Sequence, residues 1–312
     1  MLFHANKHPN SCRSCGRSVL FYKGDACQLI SQSTVLYFFS GTGNSVFVAR
    51  ELARRLHAKI LPIPALMSQD VIEPKAEAVG FVFPVYYATN DANGLPLIVS
   101  RFITKLTSIH SKYIFAICTH GGLSGSTIEN LKKEIALRGG TLAAGFGLKM
   151  SNHLLSVDEQ QKAAEMVRKK LDVVADYVLS RKFGIYETRS KLGKLTNAPL
   201  LTLLIKPIFS RRFRGLSGIK QKVPFLELVP LADKSFKVNQ NCNGCGICVK
   251  VCPVHNISLV EDKPVWFHHC ETCFACYTWC PQNAIGGETV KYNERYHHPE
   301  VKLSDVLTLA SA

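Results

Sequence analysis

Over the first 180 residues, short apolar runs alternate with stretches that repeat at helical spacing. Residues 34–39 read TVLYFF, an unbroken β-branched and aromatic run that predicts a buried strand. Six small residues follow. Then Val48, Leu52 and Leu56 recur on one side of residues 46–57 beside Ala49 and Ala53, which predicts a helix. The same logic predicts strands over 59–63, 78–83 (AVGFVF), 113–118 (YIFAIC) and 141–148. Helices are expected over 95–106, with Ile98, Phe102 and Leu106 on one side, over 126–138, and over 157–180, where alanine, lysine and glutamate favour the helix. Five strands alternating mostly with helices read as an α/β domain with a doubly wound parallel sheet, spanning 34–182.

The six small residues between the first strand and the first helix are SGTGNS: Ser40, Gly41, Thr42, Gly43, Asn44 and Ser45. Glycines let a backbone approach an anion, hydroxyls donate to it, and the start of a helix adds unpaired N–H groups and a favourable dipole. A phosphate is the expected ligand. The loop lacks the lysine of a Walker loop, and Val46 stands where a dinucleotide fingerprint needs a third glycine or alanine. Two further loops begin at predicted strand ends, one with Pro84, Val85, Tyr86 and Tyr87, the other with Thr119, His120, Gly121 and Gly122. In an open parallel sheet, loops at carboxyl ends can converge on one ligand. Tyr86 and Tyr87 can either cap the core or meet that ligand. His120 reads as a solvated loop histidine or a proton donor, and Cys118 as a buried, inert thiol.

After residue 182 the pattern changes. Residues 183–235 form a basic connector, and the stretch 181–222 holds eleven Lys or Arg against the single acid Glu187. Its apolar piece, 200–209, predicts a helix bridging two domains; a basic helix lying on a membrane surface through 183–222 is the less favoured reading. Residues 236–290 carry two cysteine runs 28 residues apart, CNGCGICVKVCP from Cys242 and CETCFACYTWCP from Cys270. Both follow C-x2-C-x2-C-x3-C-P, the spacing of bacterial proteins that hold two iron-sulfur clusters. Three close cysteines can grip three corners of one cube, while the fourth, ahead of a proline, reaches the other. Cys242, Cys245, Cys248 and Cys280 are therefore assigned to one 4Fe-4S cluster, and Cys270, Cys273, Cys276 and Cys252 to a second. Zinc sites would show separated C-x2-C pairs instead. Gly244 and Gly246 are expected to turn backbone N–H groups toward cluster sulfurs, and Tyr277 and Trp279 to serve in packing.

Composition narrows the setting. With 312 residues and 46% hydrophobic content the chain can bury a substantial core. No export signal or spanning run is visible, so twelve cysteines point to ligation in a reducing, cytoplasmic compartment rather than to disulfides. The formal charge of +15 is offset by roughly four units if two clusters are bound. Nucleic acid is not expected, because no base-stacking fold accompanies the charge. Residues 1–33 hold Cys12, Cys15 and Cys27 without the second half of a zinc motif and read as an unassigned extension; 291–312 read as a tail.

SGTGNS after the first strand resembles the phosphate loop of flavodoxins, and PVYY and THGG resemble the two loops that hold the isoalloxazine ring of FMN. Joined to the cysteine runs, the chain from residue 34 is similar to a family of fused proteins with a flavodoxin-like amino half and a two-cluster ferredoxin-like carboxyl half of α+β type. The resemblance implies FMN. It departs from the family pattern at ATNDANG (88–94), a longer insertion before Leu95 and Pro96. Two functions are expected: an electron carrier between the clusters and FMN that serves a redox protein partner, or a flavin-dependent reductase of a small molecule such as a quinone or nitro compound.

Overall fold

A computed structural model of the chain describes residues 33–88, 94–122, 124–150, 157–187, 198–290 and 295–310. The extension with Cys12, Cys15 and Cys27, most of the ATNDANG insertion, and Arg189, Lys191 and Lys194 of the basic connector lie outside the described residues.

Five parallel strands form the amino-terminal sheet: β1 (Thr34–Phe38), β2 (Lys59–Pro62), β3 (Ala78–Pro84), β4 (Tyr113–His120) and β5 (Leu142–Lys149), in the order β2-β1-β3-β4-β5. That is the flavodoxin-like doubly wound order. All of β1 is buried, as its unbroken apolar run requires. Helices α1 (Asn44–Leu56) and α5 (Val157–Leu179) pack together, as do α3 (Leu97–Thr104) and α4 (Thr127–Leu137).

Predicted boundaries hold within about two residues, with two physical differences. The first helix starts at Asn44, two residues early, which carries Ser45 into the buried first turn. The second strand stops at Pro62, and Pro64 opens a short helix, α2 (Ile63–Leu66), because proline suits the first turn.

The connector is helical over Ala198–Ser217, longer than the apolar piece suggested, with Pro207 inside it. Phe213 and Leu216 are buried in a small second core with Phe225, Leu228, Val229 and Ala232, against which Tyr87 and Leu97 of the amino-terminal half pack. At the same helix Arg212 donates to the Glu288 carbonyl at 2.9 Å. The connector thus touches both halves, as a bridging helix must.

In the cysteine-rich region β6 (Phe236–Val238) pairs antiparallel with β9 (Ile285–Gly287), and β7 (Ile257–Val260) with β8 (Lys263–Trp266). Glu261 and Asp262, with φ of 48° and 57°, make the two-residue hairpin turn between the latter pair. The tail does not trail away. Its helix, Leu303–Ala310, packs on α2 and β2. Among the described residues no helix is long and apolar enough to cross a membrane.

Candidate redox site

Because β1 and β3 are neighbours from which the chain winds in opposite directions, their carboxyl ends open a crevice. Ser40, Gly41, Thr42, Asn44, Ser45, Pro84, Val85, Thr119, His120 and Gly121 line one pocket of about 110 Å³ there. Three loops expected to meet do so. The Ser40 hydroxyl accepts the Gly43 N–H at 3.1 Å and closes the loop on itself. Ser45 Oγ and Thr119 Oγ1 lie 2.9 Å apart and tie the first loop to the third. His120 Nδ1 is buried and has no hydrogen-bond partner among the described residues, and burial holds this ring's pKa below its ordinary value. Hydroxyls, a helix start and an orphaned ring nitrogen together fit the phosphate and polar groups of FMN. The continuations of the second and third loops, 89–93 and 123, lie outside the described residues.

Tyr86, Tyr87, Gly43 and Gly122 do not line this pocket. Tyr87 turns away from it. Its hydroxyl donates to Thr272 Oγ1 at 2.7 Å, and its ring meets Phe213 and Phe225 edge-on, with centroids 5.4 and 5.1 Å away. Tyr86 contacts Phe39 and Tyr87, and burial raises its pKa strongly. Gly122 is exposed. Of the two readings for Tyr87, the packing one has its partners in the connector's aromatic residues and in Thr272, across the seam between the halves. Cys118 is buried, and burial pushes its thiol up to about 12.

The eight cysteines of the two runs fall into two groups around two hollows. Cys242, Cys245, Cys248 and Cys280 line the first. Cys252, Cys270, Cys273 and Cys276 line the second. Each fourth cysteine thus faces the hollow of the other run. All eight are free thiols, and among the described residues no three His, Cys, Asp or Glu converge as they would on one metal ion. Thiols held apart around a hollow suit a multi-iron cube better than a single zinc. Backbone amides point at the sulfurs: Asn256 to Cys252 at 3.2 Å, Thr272 to Cys270 at 3.2 Å and Ala284 to Cys280 at 3.4 Å. Such bonds favour thiolate and adjust cluster potential. Burial pushes Cys248 up to about 11 and Cys276 up to about 12, with neighbouring cysteines adding to it, so the ligands need a cationic core to ionise together.

A family model described as a 4Fe-4S dicluster domain matches residues 241–285. Those residues are a 4Fe-4S dicluster domain. Its eight cysteines imply two 4Fe-4S clusters. Among solved structures the chain is similar to a Streptococcus pneumoniae flavodoxin, with 14% identity over 46% of this chain and 99% of that one (TM-score 0.32). It is similar to flavodoxin 2 of Bacillus cereus, with 12% identity over 46% and 98% (TM-score 0.35). A Megasphaera elsdenii flavodoxin shares 17% identity over 44% and 98% (TM-score 0.30). No curated protein matches the chain. The flavodoxin-like fold rests on the strand order.

The dicluster domain sits directly on the SGTGNS loop. A Cβ on Gly41 would lie 2.0 Å from the Cys273 carbonyl oxygen, so only glycine permits this approach. The Trp279 indole N–H donates to the Gly41 carbonyl at 2.8 Å. The tail closes the loop's outer side: the His298 amide donates to the Thr42 carbonyl at 2.9 Å, the Tyr296 hydroxyl donates to Asn44 Oδ1 at 2.9 Å, and the His298 ring stacks on Phe47 at 4.1 Å. The Gly41 and Thr42 carbonyls are thus both held by residues from the carboxyl-terminal part of the chain.

A buried acid system supports the second hollow. Glu271 accepts the Ile98 amide at 3.0 Å and an N–H of Arg101; burial raises its pKa against the pull of that guanidinium. Asp233 accepts Asn256 Nδ2 at 2.7 Å and pairs with His268 Nδ1 at 2.8 Å, while Asn256 Oδ1 accepts the His269 amide at 2.8 Å. Sequence reasoning missed Arg101, Asp233, Glu271, Asn256 and His298, and treated Trp279 as packing alone. The signal for Glu271 and Trp279 was internal to the repeat, where the first run carries Asn243 and Val251 instead.

Proposed function

We propose that this chain is an electron-transfer protein that passes electrons between two 4Fe-4S clusters and an FMN. In this reading Cys252, Cys270, Cys273 and Cys276 hold the cluster beside the flavin, and Cys242, Cys245, Cys248 and Cys280 hold the outward one. The approach of Gly41 to Cys273 carries the reading, because it puts the backbone of a cluster ligand against the loop proposed to hold the flavin phosphate. The clusters exchange single electrons and the flavin holds one or two, so a chain carrying both can join the two kinds of chemistry.

The residues of the chain divide the remaining work. Ser40, Thr42 and Ser45, with the first turn of α1, bind phosphate. His120 Nδ1 offers the flavin one hydrogen bond. Trp279, His298 and Tyr296 hold the loop in place, and Tyr87, Phe213 and Phe225 exclude water from the seam. Cys245 is exposed while Cys273 and Cys276 are buried, which supports the outer place for the first cluster. A redox protein would exchange electrons there. The formal charge of +15 favours an acidic one.

The test is anaerobic purification with iron, sulfide, zinc and flavin assays. About eight irons and one FMN per chain are expected from two four-iron sites and one flavin loop. Zinc in place of iron would overturn the cluster reading. Iron without flavin, even after incubation with FMN, would overturn the flavin half alone.

A further inference from the structure

A cavity of about 710 Å³ is neither the phosphate-loop pocket nor a cysteine hollow. It lies where the two halves meet. Phe38 and Ser40 from the end of β1, and Pro64, Ala65 and Met67 from α2 and the residue after it, form one side. The other is the end of the first cysteine run, from Lys250 to His255. Its volume suits a drug-sized molecule. Two residues place it between the redox sites: Ser40 also lines the phosphate-loop pocket, and Cys252 also lines the buried hollow.

Apart from Cys252, a cluster ligand in the proposed function, its charged side chains have one sign. The formal charges in the lining are those of Arg101 and Lys250, with His255 and His269 as further ring nitrogens, and no Asp or Glu lines it. Glu271, the acid nearest Arg101, is buried and lies outside the lining. Met67, Pro64, Phe38, Val254 and Val306 supply an apolar body to the space. An apolar cleft with cations and no carboxylate selects a molecule with an apolar, ring-sized body and a negative group.

We propose that this cavity is a binding site for a small organic anion, with its acidic group at Lys250 and Arg101 and its apolar body against Met67 and Pro64. The site would be separate from that of FMN. That its occupant touches the buried cluster rests on the proposed function; that the cavity binds an anion does not.

The probe is naphthalene-2-sulfonate, which is redox-inert, titrated calorimetrically into cluster- and FMN-loaded protein, with neutral 2-naphthalenemethanol and inorganic sulfate as controls. Saturable binding of the sulfonate at least tenfold tighter than either control is expected. Lys250→Gln should weaken it about tenfold, the loss of one charge-assisted contact. Ala65→Trp, which fills the cavity, should abolish it. Iron and flavin content should be unchanged in both variants. Bound probe should alter the electron paramagnetic resonance signal of the reduced buried cluster and leave the outer one unaltered. Absence of saturable binding, equal binding of the neutral analogue, or normal binding in Ala65→Trp would each overturn the site, as would displacement of the probe by FMN. Binding with no effect on either cluster signal would keep the anion site and overturn its contact with Cys252.

Discussion

Asn243 and Glu271 occupy the same place in the two cysteine runs, one residue after the first cysteine, yet Asn243 is exposed and Glu271 is buried against Arg101 and the Ile98 amide. The difference continues along the repeat. Gly244 and Gly246 take left-handed backbone angles, both with φ 73°; their counterparts Thr272 and Phe274 take the same region at φ 51° and 59°. A side chain there is strained by ~1 kcal/mol each. Thr272 offsets it by accepting the Tyr87 hydroxyl, and Phe274 by packing with Phe236. Val251 corresponds to Trp279, whose indole reaches Gly41. The second run is docked on the flavodoxin-like half from Glu271 to Trp279, whereas the first exposes Asn243 and Cys245 and meets that half only through its later residues, Ile247, Val251 and Val254. The ligand spacing is common to both because the cube imposes it. The intervening positions answer to whatever lies opposite.

That comparison can be tested from its largest effect downward. Cys252→Ala should remove the cluster of the second hollow and about four of about eight irons, leaving the outer cluster. Loss of the outer cluster alone would break the crossed assignment. Electron paramagnetic resonance and iron analysis read the result.

Arg101→Met leaves Glu271 buried without its cation and should destabilise the protein by about 3 kcal/mol in denaturant unfolding. Asn243→Ala, at the equivalent of Glu271, should fall within about 0.5 kcal/mol of the parent. Equal effects would mean that docking does not distinguish the two runs.

His298 gives a pH dependence. Burial, with Arg168 and His297 adding to it, lowers its pKa to about 4. The unfolded chain takes up this proton first as pH falls through about 6.5, so stability is lost downward from there until the folded ring titrates. Between pH 7 and 5 that loss is about 2 kcal/mol. In cluster-loaded protein, His298→Phe keeps an aromatic ring on Phe47 and should show a loss smaller by that amount over the same interval. An unchanged pH dependence would remove the tail from the account of the docked side.

The smallest effect is expected for Trp279→Phe, which deletes the indole bond to Gly41. About 1 kcal/mol of stability should be lost, with faster hydrogen exchange confined to residues 40–45. Val251→Ala, its counterpart, should leave that exchange unaltered.

Much of this was legible in local order. The β1 run, SGTGNS, the loops at Pro84 and Thr119 and both cysteine runs are written in consecutive residues, because strand burial, phosphate binding and cube ligation each act over a few positions. Tyr87 was not legible. An aromatic residue after a strand suits a flavin or a core equally, and its packing partners Phe213, Phe225 and Thr272 lie more than a hundred residues away. The tail was opaque for the same reason, since nothing near His298 announces Phe47 or Thr42 as its partners.

By itself the sequence determined the five-stranded α/β half, the dicluster half and the pairing of each cysteine triplet with a distant fourth, because periodicity and ligand spacing are properties of the chain over short distances. Tertiary structure alone decided which run is buried, that Gly41 meets Cys273, that Arg101 neutralises Glu271, and that a cation-lined cavity opens between the halves. Those facts depend on surfaces brought together from remote parts of the chain. Their energies come from burial and from pairing across the seam, which no local pattern encodes.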